Sequence, residues 1–222
     1  MLSFNANEVL GHVRYKIANA EVKLWPFPHF YIEEVFPWKF YSQFIENLPA
    51  QAEYSKGAAN YNGRKFADPT STGELSFLES EEFLESNIFA FRKQFAARFP
   101  DGSLHPKMDL RLILDSQNYA IGPHTDAPWK LLSLLFYMPK NYELEALGTS
   151  MYIPKDRSFC CPGGPHHKFD NFTKVYTAPF RPNSCLGFFK TDYSFHGVEP
   201  ITIPCRRDVL LWNLYDASMM KR

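Results

Sequence analysis

The first half of the chain repeats its apolar positions mainly with the period of a helix. Residues 5–18 predict a short helix with an asparagine as its N-cap. The stretch 23–37 predicts an extended strand that leads into a second helix at Pro37. Residues 75–99 predict one or two amphipathic helices, and the polar, glycine-containing segment 50–73 predicts a loop. The pattern therefore indicates a layer of helices that precedes any extensive sheet.

From about residue 107 the period changes to that of β-strands. Alternating or continuously apolar runs are separated by turns rich in proline and glycine. The predicted strands lie at residues 108–114, 131–138, 150–153, 173–177, 184–190, 194–198 and 207–215. This order predicts a mainly β (α+β) fold, a double-stranded β-helix (a cupin-like jelly roll) with the N-terminal helices packed on its major sheet.

The length of 222 residues favours one domain. We expect residues 1–106 to supply an N-terminal strand and supporting helices, and residues 107–216 to form the catalytic core. The apolar face of the helices at 75–99 could cover the sheet or form a dimer interface, so the sequence allows a homodimer.

Composition excludes several classes of protein. Aromatic residues make up 17% of the chain and include 21 Phe, which suits a sheet-rich core. The 24 basic and 24 acidic residues balance, so nucleic acid is not an expected partner. No stretch has the length of a membrane span, and the start of the chain does not resemble a signal peptide. The four cysteines show no C-x-x-C spacing, which favours reduced thiols and a cytoplasmic location.

The stretch G-P-H-T-D-A-P-W-K places His124 and Asp126 just before the apolar run of residues 131–138. Two positions apart on an extended backbone, both side chains leave the same face and can bind one metal ion. The alternative is a turn that contains a histidine by chance. A later histidine, His196, offers a third ligand, and Arg206 follows it by ten residues. If the chain folds back near residues 201 and 202, His196 and Arg206 become cross-strand neighbours.

Two histidines and one carboxylate with open positions form the facial triad of non-haem Fe(II) oxygenases, and an arginine is suited to bind the carboxylate of a co-substrate. Alternatively, His196 only marks the end of a strand, and Arg206 is a solvated charge at the edge of a sheet. The motifs H-T-D and H-G-V-E-P, followed by Arg206, resemble those of the Fe(II)- and 2-oxoglutarate-dependent dioxygenases of the prolyl-4-hydroxylase-like branch. The stretch F-P-H-F-Y-I-E-E-V-F-P near the N-terminus is also similar to that group.

The resemblance implies that His124, Asp126 and His196 bind Fe(II). It implies that Arg206, six residues before Trp212, binds the distal carboxylate of 2-oxoglutarate, with Arg207 as the alternative. Tyr137 stands where such enzymes often place a tyrosine against the same carboxylate; the alternative is a tyrosine at the rim of the core.

The activity implied is hydroxylation of an unactivated C–H bond with O2, releasing succinate and CO2. Asp126 stands where related halogenases have alanine or glycine, which favours hydroxylation. The segment L-G-T-S-M-Y departs from the G-G-x-L pattern common in the family. Two alternatives are a cupin-like metal enzyme that does not use 2-oxoglutarate and a non-catalytic binding module on the same fold.

We expect the substrate to be a small molecule or a peptide, and Trp129, Lys130 and Lys190 are candidates to line its pocket. The segment 155–172 predicts a long loop. Within it, C-C-P-G-G-P-H-H (160–167) could hold a zinc or copper ion, but adjacent ligand pairs chelate poorly, and a loop that covers the substrate is favoured.

Overall fold

The structure, a computed structural model, describes residues 4–56, 62–69, 75–94 and 104–221. Within these ranges the chain forms three α-helices and ten β-strands. The helices are α1 (Ala6–Ala18), α2 (Trp38–Glu46) and α3 (Glu81–Gln94). The strands are β1 (His29–Glu33), β2 (Arg64–Ala67), β3 (Pro106–Asp115), β4 (Ile121–His124), β5 (Lys130–Tyr137), β6 (Ser150–Pro154), β7 (Phe172–Thr177), β8 (Ser184–Phe189), β9 (His196–Val198) and β10 (Arg207–Asp216). Short 3-10 helices lie at Gln51–Glu53, Ser76–Glu79, Glu145–Leu147, Phe169–Asn171 and Ala217–Lys221.

The strands form two antiparallel sheets. The larger has six strands in the order β1-β8-β5-β10-β3-β2, and the smaller has four in the order β4-β9-β6-β7. From β4 to β10 the chain crosses from one sheet to the other at each successive strand, except that β6 and β7 both lie in the smaller sheet. The predicted double-stranded β-helix is therefore confirmed. The two edges of the larger sheet, β1 and β2, come from the segment before residue 107.

The helices cover one face of the six-stranded sheet, which we call the outer face. Alternate residues of the central strands β5, β10 and β3 point to this face and pack in the main apolar core with side chains of α1, α2 and α3. The strand residues in this core are Leu110, Leu112, Leu114, Leu132, Leu134, Phe136, Leu210, Trp212 and Leu214. Their alternation, with period two, is what fixes the register of the sheet. The other face, the inner face, turns toward the four-stranded sheet.

Several predicted elements differ from the structure at their boundaries. The predicted loop 50–73 contains β2, whose Phe66 pairs with Ile113 of β3, so an edge strand forms where the polar pattern predicted none. Part of that loop, residues 57–61 and 70–73, lies outside the described residues. The predicted helical segment 75–99 is a 3-10 turn followed by α3, and its residues 95–99 also lie outside them. In the described part of the chain, no helix is long and apolar enough to cross a membrane.

Candidate active site

The structure brings His124, Asp126 and His196 together at one end of the smaller sheet. His124 is the last residue of β4 and pairs in register with His196, the first residue of β9. Asp126 lies two residues past the end of β4 and has a positive φ of 66°, which is uncommon for a residue other than glycine. One ligand atom from each of the three side chains lies within 4.8 Å of the others. Among the described residues, this is the one group of histidine, cysteine and acidic side chains arranged to hold a metal ion.

Both histidines present the same ring nitrogen to the aspartate. Nδ1 of His124 lies 2.9 Å from the carbonyl oxygen of Gly122, and Nδ1 of His196 lies 2.9 Å from that of Ser194. A carbonyl oxygen only accepts hydrogen bonds, so each Nδ1 carries the proton. The lone pair of each Nε2 therefore faces the Asp126 carboxylate, at 3.7 Å for His124 and 3.5 Å for His196. This is the tautomer that a metal ligand requires, fixed by a carbonyl in the way common at metal sites.

The protonation states of the three groups also suit a cation. Burial, together with the neighbouring His196, lowers the pKa of His124 to about 3, although Asp126 acts to raise it. Burial likewise lowers the pKa of His196. Burial raises the pKa of Asp126, but Lys130 and the two histidines outweigh it, so its pKa lies well below the ordinary value. Two neutral imidazoles and one carboxylate therefore face each other near neutral pH, and these residues fit a divalent metal ion.

The site opens into a cavity of about 480 Å³ between the two sheets. The inner face of the larger sheet forms its floor and includes Ser133, Leu135, Val209 and Leu211. This size is typical of pockets that bind small molecules. A buried polar cluster on β10, β3 and β2 closes the cavity away from the metal site.

Arg207 is the centre of that cluster and lines the cavity, with only 1% of its side chain exposed. It donates to Asp115 Oδ2 at 2.6 Å and to the Leu147 carbonyl oxygen at 2.6 Å. Arg64 donates to both oxygens of the same carboxylate, at 2.6 Å and 2.8 Å. Two guanidinium groups therefore share one buried carboxylate.

Arg206 does not line this cavity. Its guanidinium pairs with Asp208 and donates to the Pro49 carbonyl oxygen at 2.8 Å, on the side of the sheet that the helices cover. The prediction that Arg206 and His196 are cross-strand neighbours is wrong, because β9 pairs with β4 and β6 in the smaller sheet. The larger sheet holds β10, and a chain that crosses from one sheet to the other cannot form a hairpin.

Tyr137 is fully buried behind Arg207. Its ring centroid lies 5.8 Å from the guanidinium carbon, and its hydroxyl accepts a hydrogen bond from the Thr149 amide at 3.1 Å. Burial raises its pKa. Tyr137 is not among the residues that line the cavity.

The three residues suggested for the substrate pocket fall in two places. Trp129 and Lys130 line the cavity, and Lys130 Nζ lies 3.0 Å from Asp126 Oδ1. Lys190 is not among the lining residues and pairs instead with Asp192 at 2.9 Å. The sequence suggested a pocket role for Lys130 but not its contact with Asp126.

The loop at 160–167 forms one wall of the cavity. Gly163 has a φ of 140°, and a Cβ atom there would lie 2.5 Å from the Asp126 carbonyl oxygen. The ring of His166 lies 4.7 Å, centroid to centroid, from that of His124. Cys160 is exposed and Cys161 is buried, and neither belongs to a metal-binding group in the described chain. Close packing of this loop on the turn that carries Asp126 explains Gly163, whereas Gly164 is favoured only by its positive φ of 119°.

The sequence did not predict that Asp115 and Arg64 join Arg207 in a cluster, or that Arg111 lines the cavity. A signal existed for Asp115, which follows Asp109, Arg111 and Ile113 at alternate positions of one strand and so shares their face. Arg64 had no such signal, because its strand lies in a segment that reads as a loop.

Sequence comparison gives no match to a family model or to a curated protein. Solved structures with a similar fold do exist. A prolyl hydroxylase from Trichoplax adhaerens, in complex with a hypoxia inducible factor peptide, is 14% identical, with a TM-score of 0.56, over 98% of this chain and 94% of its own. The epimerase SnoN, in complex with Fe3+, alpha ketoglutarate and nogalamycin RO, is 14% identical, with a TM-score of 0.53, over 94% of this chain and 84% of its own.

HygX from Streptomyces hygroscopicus, with nickel, 2-oxoglutarate and hygromycin B bound, is 10% identical, with a TM-score of 0.53, over 85% of this chain and 83% of its own. This chain therefore has the double-stranded β-helix fold of these enzymes. At such identities the likeness establishes the fold and not the reaction.

Proposed function

We propose that the protein is a non-haem Fe(II)- and 2-oxoglutarate-dependent dioxygenase that hydroxylates an unactivated C–H bond of a small molecule or peptide. The observation that carries the proposal is one cavity that contains both a buried His124, Asp126 and His196 group and a buried, positively charged Arg207. The structures of SnoN and HygX, each with a metal ion and the same keto acid, support it.

His124, Asp126 and His196 would hold the iron through the two Nε2 atoms and one carboxylate oxygen. The carbonyl oxygens of Gly122 and Ser194 orient the two rings. Lys130 donates to Oδ1 of Asp126, which leaves Oδ2 to face the metal position beside His196. When bound, Fe(II) with 2-oxoglutarate and O2 supplies the oxidation of the substrate and the release of succinate and CO2.

Arg207, rather than Arg206, is our candidate for the distal carboxylate of 2-oxoglutarate. Arg207 shares its side of β10 with Val209 and Leu211, both of which line the cavity. Asp115 and the Leu147 carbonyl hold its guanidinium in place, so little conformational entropy is lost when a carboxylate binds. Tyr137 would support Arg207 from behind and not contact the co-substrate.

A cupin-like enzyme that does not use 2-oxoglutarate is the second candidate, since the three ligands alone would serve it equally well. Such an enzyme has no need for a buried arginine in the same cavity. Binding of 2-oxoglutarate therefore separates the two candidates.

An anaerobic titration tests the proposal. The metal-free protein is loaded with Fe(II) and titrated with 2-oxoglutarate, and a visible metal-to-ligand charge-transfer band should appear and saturate at one equivalent. Asp126→Ala should abolish the band by removing a metal ligand, whereas the exposed Asp170→Ala should leave it unchanged. A folded, iron-loaded protein that develops no band with excess 2-oxoglutarate would refute the proposal.

A further inference from the structure

The smaller sheet fixes two of the three metal-ligand candidates but not the third. His124 and His196 pair directly across β4 and β9, so the sheet sets the positions of both. Asp126 lies beyond the end of β4, and among the described residues no backbone–backbone hydrogen bond involves Thr125 or Asp126. Lys130 contacts the Asp126 carboxylate, which orients the end of the side chain and not the main chain that carries it. The main chain at Asp126 therefore needs another support.

The side chain of Thr125, which stands between His124 and Asp126, supplies that support. Its hydroxyl donates a hydrogen bond of 2.8 Å to the Cys161 carbonyl oxygen in the loop 160–167. Thr125 is fully buried. A hydrogen bond in such a place is costly to lose, because water cannot take the position of the missing donor. The bond therefore couples the turn that carries Asp126 to the neighbouring loop.

Cys161 is a firm partner because it is itself anchored on two sides. Its N–H donates to the Asp192 carbonyl oxygen at 2.9 Å, and its side chain packs in a buried cluster of aromatic residues. Asp192 belongs to the turn that precedes β9, in which the Ser194 carbonyl oxygen orients the ring of His196. The main chain of Cys161 thus connects the turn that carries Asp126 to the turn that orients His196.

The shape of the site alone does not explain a threonine at position 125. Valine has the same branched shape and lacks the hydroxyl, so it would fill the space equally well. Burial of a hydroxyl is unfavourable unless its hydrogen bond compensates for the loss of water. The buried hydroxyl of Thr125 therefore indicates that the bond to Cys161 is the reason for this residue.

We propose that Thr125 is a positioning residue of the metal site: through the Cys161 carbonyl oxygen it holds the main chain of Asp126 where the carboxylate faces both histidines. This inference rests on the metal binding of the proposed function and adds a residue that does not touch the metal ion. Loss of a residue that orients a metal ligand typically weakens metal binding about 10–100-fold. The hydroxyl of Thr125 should have an effect of this size.

The test measures the affinity of the metal-free protein for Zn(II) by calorimetric titration. We expect Thr125→Val to weaken Zn(II) binding about tenfold or more, because the hydrogen bond is lost while the shape is kept. Thr125→Ser keeps the hydroxyl and should bind Zn(II) nearly as tightly as the wild type does. If Thr125→Val binds Zn(II) as tightly as the wild type, the threonine only fills space and the inference is wrong.

A matched control removes a buried hydrogen bond of the same kind away from the site. The hydroxyl of Tyr41, on α2, donates to the Pro139 carbonyl oxygen at 2.6 Å. Tyr41→Phe should lower the free energy of unfolding, measured by urea denaturation of the metal-free protein, and leave the affinity for Zn(II) unchanged. If Tyr41→Phe weakens Zn(II) binding as much as Thr125→Val does, the effect is a general loss of stability and the inference fails.

Co(II) in place of Zn(II) gives a second readout, because its visible absorption bands report the arrangement of the ligands. Thr125→Val should change these bands, whereas Thr125→Ser and Tyr41→Phe should not. Thr125→Ala removes the hydroxyl without placing a methyl group against the carbonyl oxygen, so it provides the same test if the valine variant does not fold. Wild-type bands in the variants without the hydroxyl would contradict the inference.

The wild-type protein separates this inference from the proposed function. If it binds no divalent metal ion, the proposed function fails and the inference falls with it. If it binds the ion and loss of the Thr125 hydroxyl has no effect, the inference alone fails.

Discussion

The two faces of the six-stranded sheet are built from the same strands and have opposite character. On the outer face, alternate residues such as Leu134 and Trp212 are fully buried against the helices. On the inner face, their immediate neighbours Ser133 and Asn213 hydrogen-bond at 3.2 Å beside the metal ligands, and Arg207 and Asp115 form a buried ion pair. The outer face stabilises the sheet through apolar burial, and the inner face holds polar groups at a cost in desolvation. Stability and chemistry are therefore separated by a single residue step along a strand.

Two neighbouring leucines of β5 show how much each face contributes to stability. Leu134 is fully buried on the outer face, whereas Leu135 is partly exposed and lines the cavity. We expect Leu134→Ala to lower the free energy of unfolding by about 2–5 kcal/mol, because it leaves a void in a packed core. Leu135→Ala should cost clearly less. Urea denaturation of both variants measures the difference, and equal losses would contradict the division between faces.

A second prediction concerns pH and the inner side of the molecule. The pKa of His124 is lowered to about 3 by burial, against 6.5 in the unfolded chain. As the pH falls below 6.5, His124 takes up a proton in the unfolded state but not in the folded state. The free energy of unfolding that His124 contributes is therefore fully present above pH 6.5 and decreases as the pH falls toward 3. Between pH 7 and pH 5, His124 alone should cost the metal-free protein about 2 kcal/mol.

Measurement of the unfolding free energy against pH tests this, with His124→Gln as the comparison. The variant should lose less stability than the wild type between pH 7 and pH 5. His196, whose pKa burial also lowers, adds to the slope in both proteins. Identical slopes for the two proteins would mean that His124 is not held neutral by the fold.

A third and smaller effect concerns the loop that covers the inner face. Gly163 and Gly164 both have positive φ, but only at Gly163 would a Cβ atom meet the Asp126 carbonyl oxygen and Pro128. Each change to alanine should cost about 1–3 kcal/mol through backbone strain. Gly163→Ala should in addition weaken metal binding about tenfold, because it displaces the turn that carries Asp126. Titration of both variants with a metal ion measures this difference, and equal affinities would show that the loop does not position Asp126.

Much of the fold could be predicted from the sequence, because period-two alternation and proline and glycine turns mark most strands of β3 to β10. The three metal-ligand candidates could also be selected from their residue types and order, but β4 ends at His124 and Asp126 has a positive φ, so strand parity is not what brings the two side chains together. β2 could not be predicted, because an edge strand with half-buried residues has a weak pattern. The position of β9 opposite β4 depends on how the chain crosses between sheets, which no local pattern specifies.

The choice between Arg206 and Arg207 could have been made from the sequence. Arg206 has the parity of Trp212 and Leu214, which are apolar residues suited to a helix-covered face. Arg207 has the opposite parity and therefore points into the β-helix. The spacing of six residues from Arg206 to Trp212 in fact places the two on the same, outer side.

The adjacent arginines Arg206 and Arg207 offer the most direct test that the residues for chemistry lie on the inner face. The measurement is the dissociation constant of 2-oxoglutarate from the anaerobic Fe(II)-loaded protein, read from the visible charge-transfer band, in Arg207→Met and Arg206→Met. We predict that Arg207→Met weakens 2-oxoglutarate binding at least tenfold with iron binding retained, and that Arg206→Met binds as the wild type does. The reverse result, or equal effects from both changes, would contradict it.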